Sequence, residues 1–126
     1  PPPAPAAAPP PGADPLAAAL RAVDGFSAMY LDMGPATMSL SILQDALAAA
    51  VGCCDEALGG PPAELPPGGN ESLGNALKFL AGISRMYREL GGGGVPVPVV
   101  REALAKALVR CQKKVEAKQG RRKWGL

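Results

Sequence analysis

The chain has 126 residues, of which 48% are hydrophobic but only 4% aromatic, and a formal net charge of +2 with no histidine. The length fits one ordinary domain and the apolar content fits a globular protein rather than a fibrous or disordered one. Scarce aromatic and β-branched residues argue against sheet, no apolar run reaches the roughly eighteen residues of a membrane span, and without histidine the usual general base is missing, so no catalyst is expected.

Residues 1–13, PPPAPAAAPPPGA, are dominated by proline. Proline's fixed φ and missing N–H forbid helix or sheet there, which predicts an extended, disordered arm or linker. Pro2 and Pro5 form a PxxP pattern, but with no basic residue beside it to set a direction, a linker is the expected role. The chain opens on proline rather than methionine, which suggests a processed protein or a piece of a longer one.

Asp14 followed by Pro15 is a helix start: a side-chain acceptor for the cap, then a residue whose absent N–H costs nothing in the first turn. Leu16, Leu20, Val23, Tyr30 and Met33 continue on one face, predicting a helix to about Met33. Gly34 and Pro35 stop it, and Thr37 or Ser39 can cap the next. In the second helix Leu43, Leu47, Ala50, Val51, Cys54 and Leu58 form the stripe, with alanines around it, until Gly59 and Gly60.

Cys53, Cys54 and Cys111 are an odd number, and adjacent cysteines bridge only with severe strain. They read as buried thiols, and a reducing compartment is favoured, either cytoplasm or an organelle interior after loss of a targeting peptide. Three cysteines without histidine do not complete a zinc site, so neither metal nor cofactor is expected.

The connector GGPPAELPPGG covers residues 59–69 and leads to Asn70, a capping residue, with Glu71 in the expected first turn. Leu73, Ala76, Leu77, Leu80, Ile83, Tyr87 and Leu90 make the third stripe, ended by four glycines at 91–94. That glycine run follows a helix, not a strand, and no lysine–hydroxyl pair comes after it, so it is a stop or hinge rather than a phosphate loop. VPVPVV then reads as extended, with Pro98 opening helix four. Val100, Leu104, Ala107, Leu108, Cys111 and Val115 mark its apolar face, with Arg101, Glu102, Lys106, Arg110, Lys113 and Lys114 on the opposite side.

Four amphipathic helices bury their faces most simply against one another. The expected fold is all-α, an up-down four-helix bundle over residues 14–118, with the arm at 1–13 and a basic tail at 119–126. Alanine-rich seams predict a thin core, and Met29, Met33, Met38 and Met86 are expected to fill gaps in it. The carboxylates are expected singly on solvent faces.

The net charge hides a dipole. Residues 101–126 carry nine basic and two acidic residues, or +7, and residues 1–100 carry four and nine, or −5. A helix C-terminus favours cations, but nine exceed what a cap requires. The candidate partner-binding residues are Arg110, Lys113, Lys114, Lys118, Arg121, Arg122, Lys123 and Trp124. An acidic protein surface is the favoured partner, which makes the chain a non-catalytic interaction module, a subunit or adaptor of a larger assembly. Nucleic acid, with Trp124 stacking on a base, or an anionic membrane, with Trp124 at headgroup level, would use the same residues. Self-association through the alanine faces is a third possibility. Trp124, Gly125 and Leu126 also have the form that strand-adding, carboxylate-binding domains accept at a free C-terminus.

Overall fold

The computed structural model describes residues 14–34, 39–59, 64–65 and 71–124, with side chains in the last stretch described as far as Lys118. The proline-rich arm, Pro35, Thr37, Met38, Asn70 and residues 125–126 lie outside the described residues. Four helices account for nearly everything described: α1 (Pro15–Met33), α2 (Leu40–Leu58), α3 (Leu73–Leu90) and α4 (Val97–Trp124), with a single 3-10 turn at Gly91–Gly93 before α4. No strand occurs among the described residues.

The helix ends follow from local chemistry. The Asp14 carboxylate accepts from the N–H of Leu16 at 3.0 Å, and Ser39 accepts from Ser41 at 3.2 Å. The third cap is Ser72, whose hydroxyl accepts from Asn75 at 3.1 Å. This corrects the expectation that Asn70 caps α3 and places Glu71 ahead of the helix rather than in its first turn. Gly59 closes α2 in the left-handed conformation (φ 73°), where a side chain would be strained. The stretch expected to be extended already turns helical at Val97, where Pro98, lacking an N–H, sits harmlessly in the first turn.

Around the bundle the order is α1, α2, α4, α3 and back to α1. Side-chain contacts set the directions. Tyr87 near the end of α3 donates to Asp14 at the start of α1, and Gly74 at the start of α3 approaches Leu31 near the end of α1, so these two helices are antiparallel. Arg101, early in α4, reaches Asp55, late in α2, while the Cys111 thiol contacts the carbonyl of Leu40 at the start of α2. That pair is antiparallel too. Every neighbouring pair alternates, as an up-down bundle requires, but the sequence order does not follow the ring. α2 and α3 are parallel and diagonal, so the segment between Gly59 and Ser72 passes from one end of the bundle to the other. At up to about 3.3 Å per residue it has reach to spare over a 19-residue helix of roughly 28 Å.

The core is thicker than the alanine content suggests. Leu20, Leu43, Leu47, Leu73, Leu77, Leu80 and Leu104 are fully buried, joined by Val23, Val100, Cys54 and Cys111. The alanines fall between these leucines at Ala50, Ala76, Ala103 and Ala107, where they let backbones close in around them. The methionine expectation fails: Met29, Met33 and Met86 are all exposed. Leu58 and Leu90, on the predicted stripes, are exposed as well because each ends its helix beyond the last packed turn. α4 is buried on most sides, from Val100 to Cys111.

Candidate interaction surface

α4 is 28 residues long against 18 or 19 for the other helices. Among its described side chains the last buried one is Cys111, level with the start of α2. From there to Trp124 the helix continues for about 20 Å at 1.5 Å per residue, carrying the basic run at the end of the bundle where α1 finishes and α3 begins.

A half-open groove of about 400 Å³ lies at that junction. Tyr30 of α1 and Ser72, Leu73 and Gly74 of α3 form one wall, and Arg110, Lys113, Lys114 and Ala117 of α4 form the other. Three of the predicted site residues therefore converge. Arg110 is half-buried; Lys113 and Lys114 are exposed and line the mouth. Lys118 is exposed one turn further on. Arg121, Arg122 and Lys123 share the helix with them, as does Trp124, their side chains lying beyond those described. The first turn of α3 adds the partial positive charge of its N-terminus to the same corner, so the groove presents one sign of charge over an apolar floor. Neither Tyr30 nor Ser72 is legible as a site residue in the sequence, because both reach the groove only through helix pairing.

Arg101 does not belong to this surface. Expected on the solvent side of α4, it is buried, and its Nε donates to Asp55 at 2.6 Å. The carboxylates also depart from expectation. Asp24 accepts from Ser84 at 2.9 Å and from Arg88 at 2.6 Å, and Asp14 accepts from the Tyr87 hydroxyl at 2.7 Å. These are ties between helices rather than single solvated charges. Burial raises the Asp24 carboxyl above the ordinary carboxylate value, opposed by the Ser84 hydrogen bond and the Arg88 charge. Burial and the Asp14 contact push Tyr87 up to about 12.

The three thiols are held toward their protonated forms. Burial, with Asp55 nearby, raises Cys54 to about 12; burial alone raises Cys111 to about 11, and Cys53 is raised too. A thiol held protonated is a poor nucleophile. Among the described residues no group of three or more His, Cys, Asp or Glu side chains is placed to hold a metal ion, and no helix is long and apolar enough to cross a membrane.

No family model, no curated protein and no solved structure matches this chain.

Proposed function

We propose that the protein is a non-catalytic helical interaction module, a subunit or adaptor of a larger assembly, whose α4 contacts an acidic protein surface through Arg110, Lys113, Lys114, Lys118, Arg121, Arg122, Lys123 and Trp124. The observation that carries this reading is the convergence of Arg110, Lys113 and Lys114 on one groove at the end of the bundle. A helix end that only needed its dipole balanced would have its cations in the last turn. Here they begin more than three turns before Trp124 and line a recess with apolar contact surface. Such an arrangement combines electrostatic steering with an anchoring pocket.

The test is recovery of the native protein from its source at low and at roughly tenfold higher salt, beside the charge-reversed variant Lys113→Glu/Lys114→Glu/Lys118→Glu. The expected result is a stoichiometric protein partner retained at low salt, weakened at high salt and absent with the variant. Recovery of nucleic acid or anionic lipid in place of protein would assign the same residues to phosphate contact instead. A partner retained equally by the variant would overturn the reading.

A further inference from the structure

We propose that the flank shared by α3 and α4 is a docking strip for an amphipathic helix of the partner, one with an acidic edge; this rests on the reading above and adds the shape and chemistry of what binds.

Phe79, Ile83, Met86 and Leu90 follow one another at spacings of four, three and four on α3. They form a line separate from the core face of Leu73, Leu77, Leu80, Ser84 and Tyr87. Phe79 is 58% exposed, Met86 47% and Leu90 62%, with Ile83 half-buried at the edge of the core. Singly exposed apolar residues need no explanation, but four on one helical line make a continuous apolar ridge. The ridge can be placed. Ser84 and Arg88 reach Asp24 of α1, and at about 100° per residue they lie roughly 140° and 180° round from Phe79. The ridge therefore looks away from α1, towards the helix's other neighbour, α4.

α4 presents its cations to the same flank. Arg101 turns to α2, and Arg110 and Lys114 lie roughly 180° and 140° round from it, where they line the groove beside Ser72 and Leu73. Because α3 and α4 are antiparallel, Lys113 and Lys114 stand by the start of α3. Lys106, in an exposed pair with Glu102 at 3.4 Å, stands by its middle, and exposed Val99 lies near Leu90 along the axis. The result is a strip about 27 Å long, the length of α3, whose apolar side runs for about 17 Å from Phe79 to Leu90 and whose cations run from Lys106, beside the ridge, on to Lys114 at the start of α3.

Charge complementarity selects the occupant. A helix whose apolar residues repeat at i, i+4, i+7 and i+11 matches the ridge, and glutamates along its edge would face Lys106, Arg110 and Lys114. A second copy is disfavoured, since two-fold pairing of α3 ridges brings both basic α4 rows to the same interface.

The experiment titrates the full chain with a labelled helical peptide carrying leucine at i, i+4, i+7 and i+11 and glutamate along one edge. Controls are the same peptide with lysine for glutamate, and vesicles of mixed neutral and anionic phospholipid. Expected are binding of the glutamate peptide, at least about tenfold weaker binding of the lysine peptide, and at least about tenfold loss with Phe79→Asp, Met86→Asp or Lys106→Glu/Lys114→Glu. Thermal midpoints should be unchanged for Phe79→Asp and Met86→Asp, whose side chains are exposed, and lowered by at most a few degrees for Lys106→Glu/Lys114→Glu, which turns the exposed Lys106–Glu102 pair into a like-charged one. Absent binding of the glutamate peptide, equal binding of both peptides, or binding indifferent to Phe79→Asp and Met86→Asp would overturn the strip. So would a ridge whose substitution abolishes only vesicle binding or concentration-dependent sedimentation of the chain alone. If the apolar variants leave binding intact while the charge reversals still remove the native partner, the basic-face reading survives and only the strip falls.

Discussion

Arg101 and Asp55 lock α4 to α2 with side chains that are 11% and 16% exposed. Removing Arg101 leaves the desolvated Asp55 carboxylate without its guanidinium partner. Arg101→Met is expected to lower the unfolding free energy by about 3 kcal/mol, seen as a lower denaturant midpoint at unchanged m-value, whereas adding Asp55→Leu should recover most of it. A single-variant cost within about 0.5 kcal/mol, the range for ordinary surface positions, would show the pair to be solvated. Asp24 gives a pH dependence. Its pKa is raised in the folded chain by burial, so the folded state favours its protonated form. Its favourable contribution is therefore present below the ordinary carboxylate value near 4 and is lost as pH rises through the raised one. Relative to Asp24→Asn, the wild type should lose stability over that interval in denaturation curves taken from about pH 3 to pH 7. A difference independent of pH would mean that Arg88 and Ser84 fully offset the burial.

The elements were readable from the sequence wherever local chemistry decided. Asp14 with Pro15, the apolar repeats and the glycine stops mark the first three helices, and the repeat from Val100 to Val115 marks the fourth without showing that it continues to Trp124, since capping and amphipathic spacing are properties of neighbouring residues. The failures have a common cause. Asn70 and Ser72 are both good caps, and the choice fell to the residue whose hydroxyl meets the N–H of Asn75. Ser72→Ala should therefore cost about 1 kcal/mol in unfolding free energy, measured by chemical denaturation, and a negligible cost would return the cap to another residue. The methionines were misplaced for a different reason: helical spacing tells which residues share a face, but Met33 lies at a helix end where no neighbour covers it. Arg101 shows the reverse, a charge on the polar side of α4 by spacing that becomes buried because α4 is surrounded on more sides than one stripe implies.

For the whole molecule the decisive fact is the ring order α1, α2, α4, α3. It brings the end of α1, the start of α3 and the basic half of α4 to one corner, without which the cations would be a charged helix end rather than the wall of a groove. It also makes a long connector obligatory. Deleting residues 61–69 leaves about 17 Å of reach between α2 and α3, enough for a hairpin but short of the bundle's length. The shortened chain is expected to lose cooperative thermal unfolding or to exchange halves between two chains, read by calorimetry and sedimentation. A monomer of wild-type stability would instead place α2 and α3 side by side. The dipole of charge, legible in the composition, gains its proposed use only here, where Lys113 and Lys114 face the first turn of α3.

The sequence by itself determined the helical class, the number of helices, the approximate bounds of the first three, and which end of the chain is basic, because propensity, capping and charge are carried by residues close together in the chain; that α4 continues through residues 119–124, expected as a tail, was not legible. Only the tertiary structure decided the ring order, the leucine layers of the core, the Arg101–Asp55 and Arg88–Asp24 ties, and the groove with its adjoining apolar ridge. The two ties join residues 46 and 64 positions apart and the groove joins Ser72 to Arg110, 38 apart, and Tyr30 to Lys114, 84 apart, and helical periodicity says which face is apolar without saying which helix will cover it.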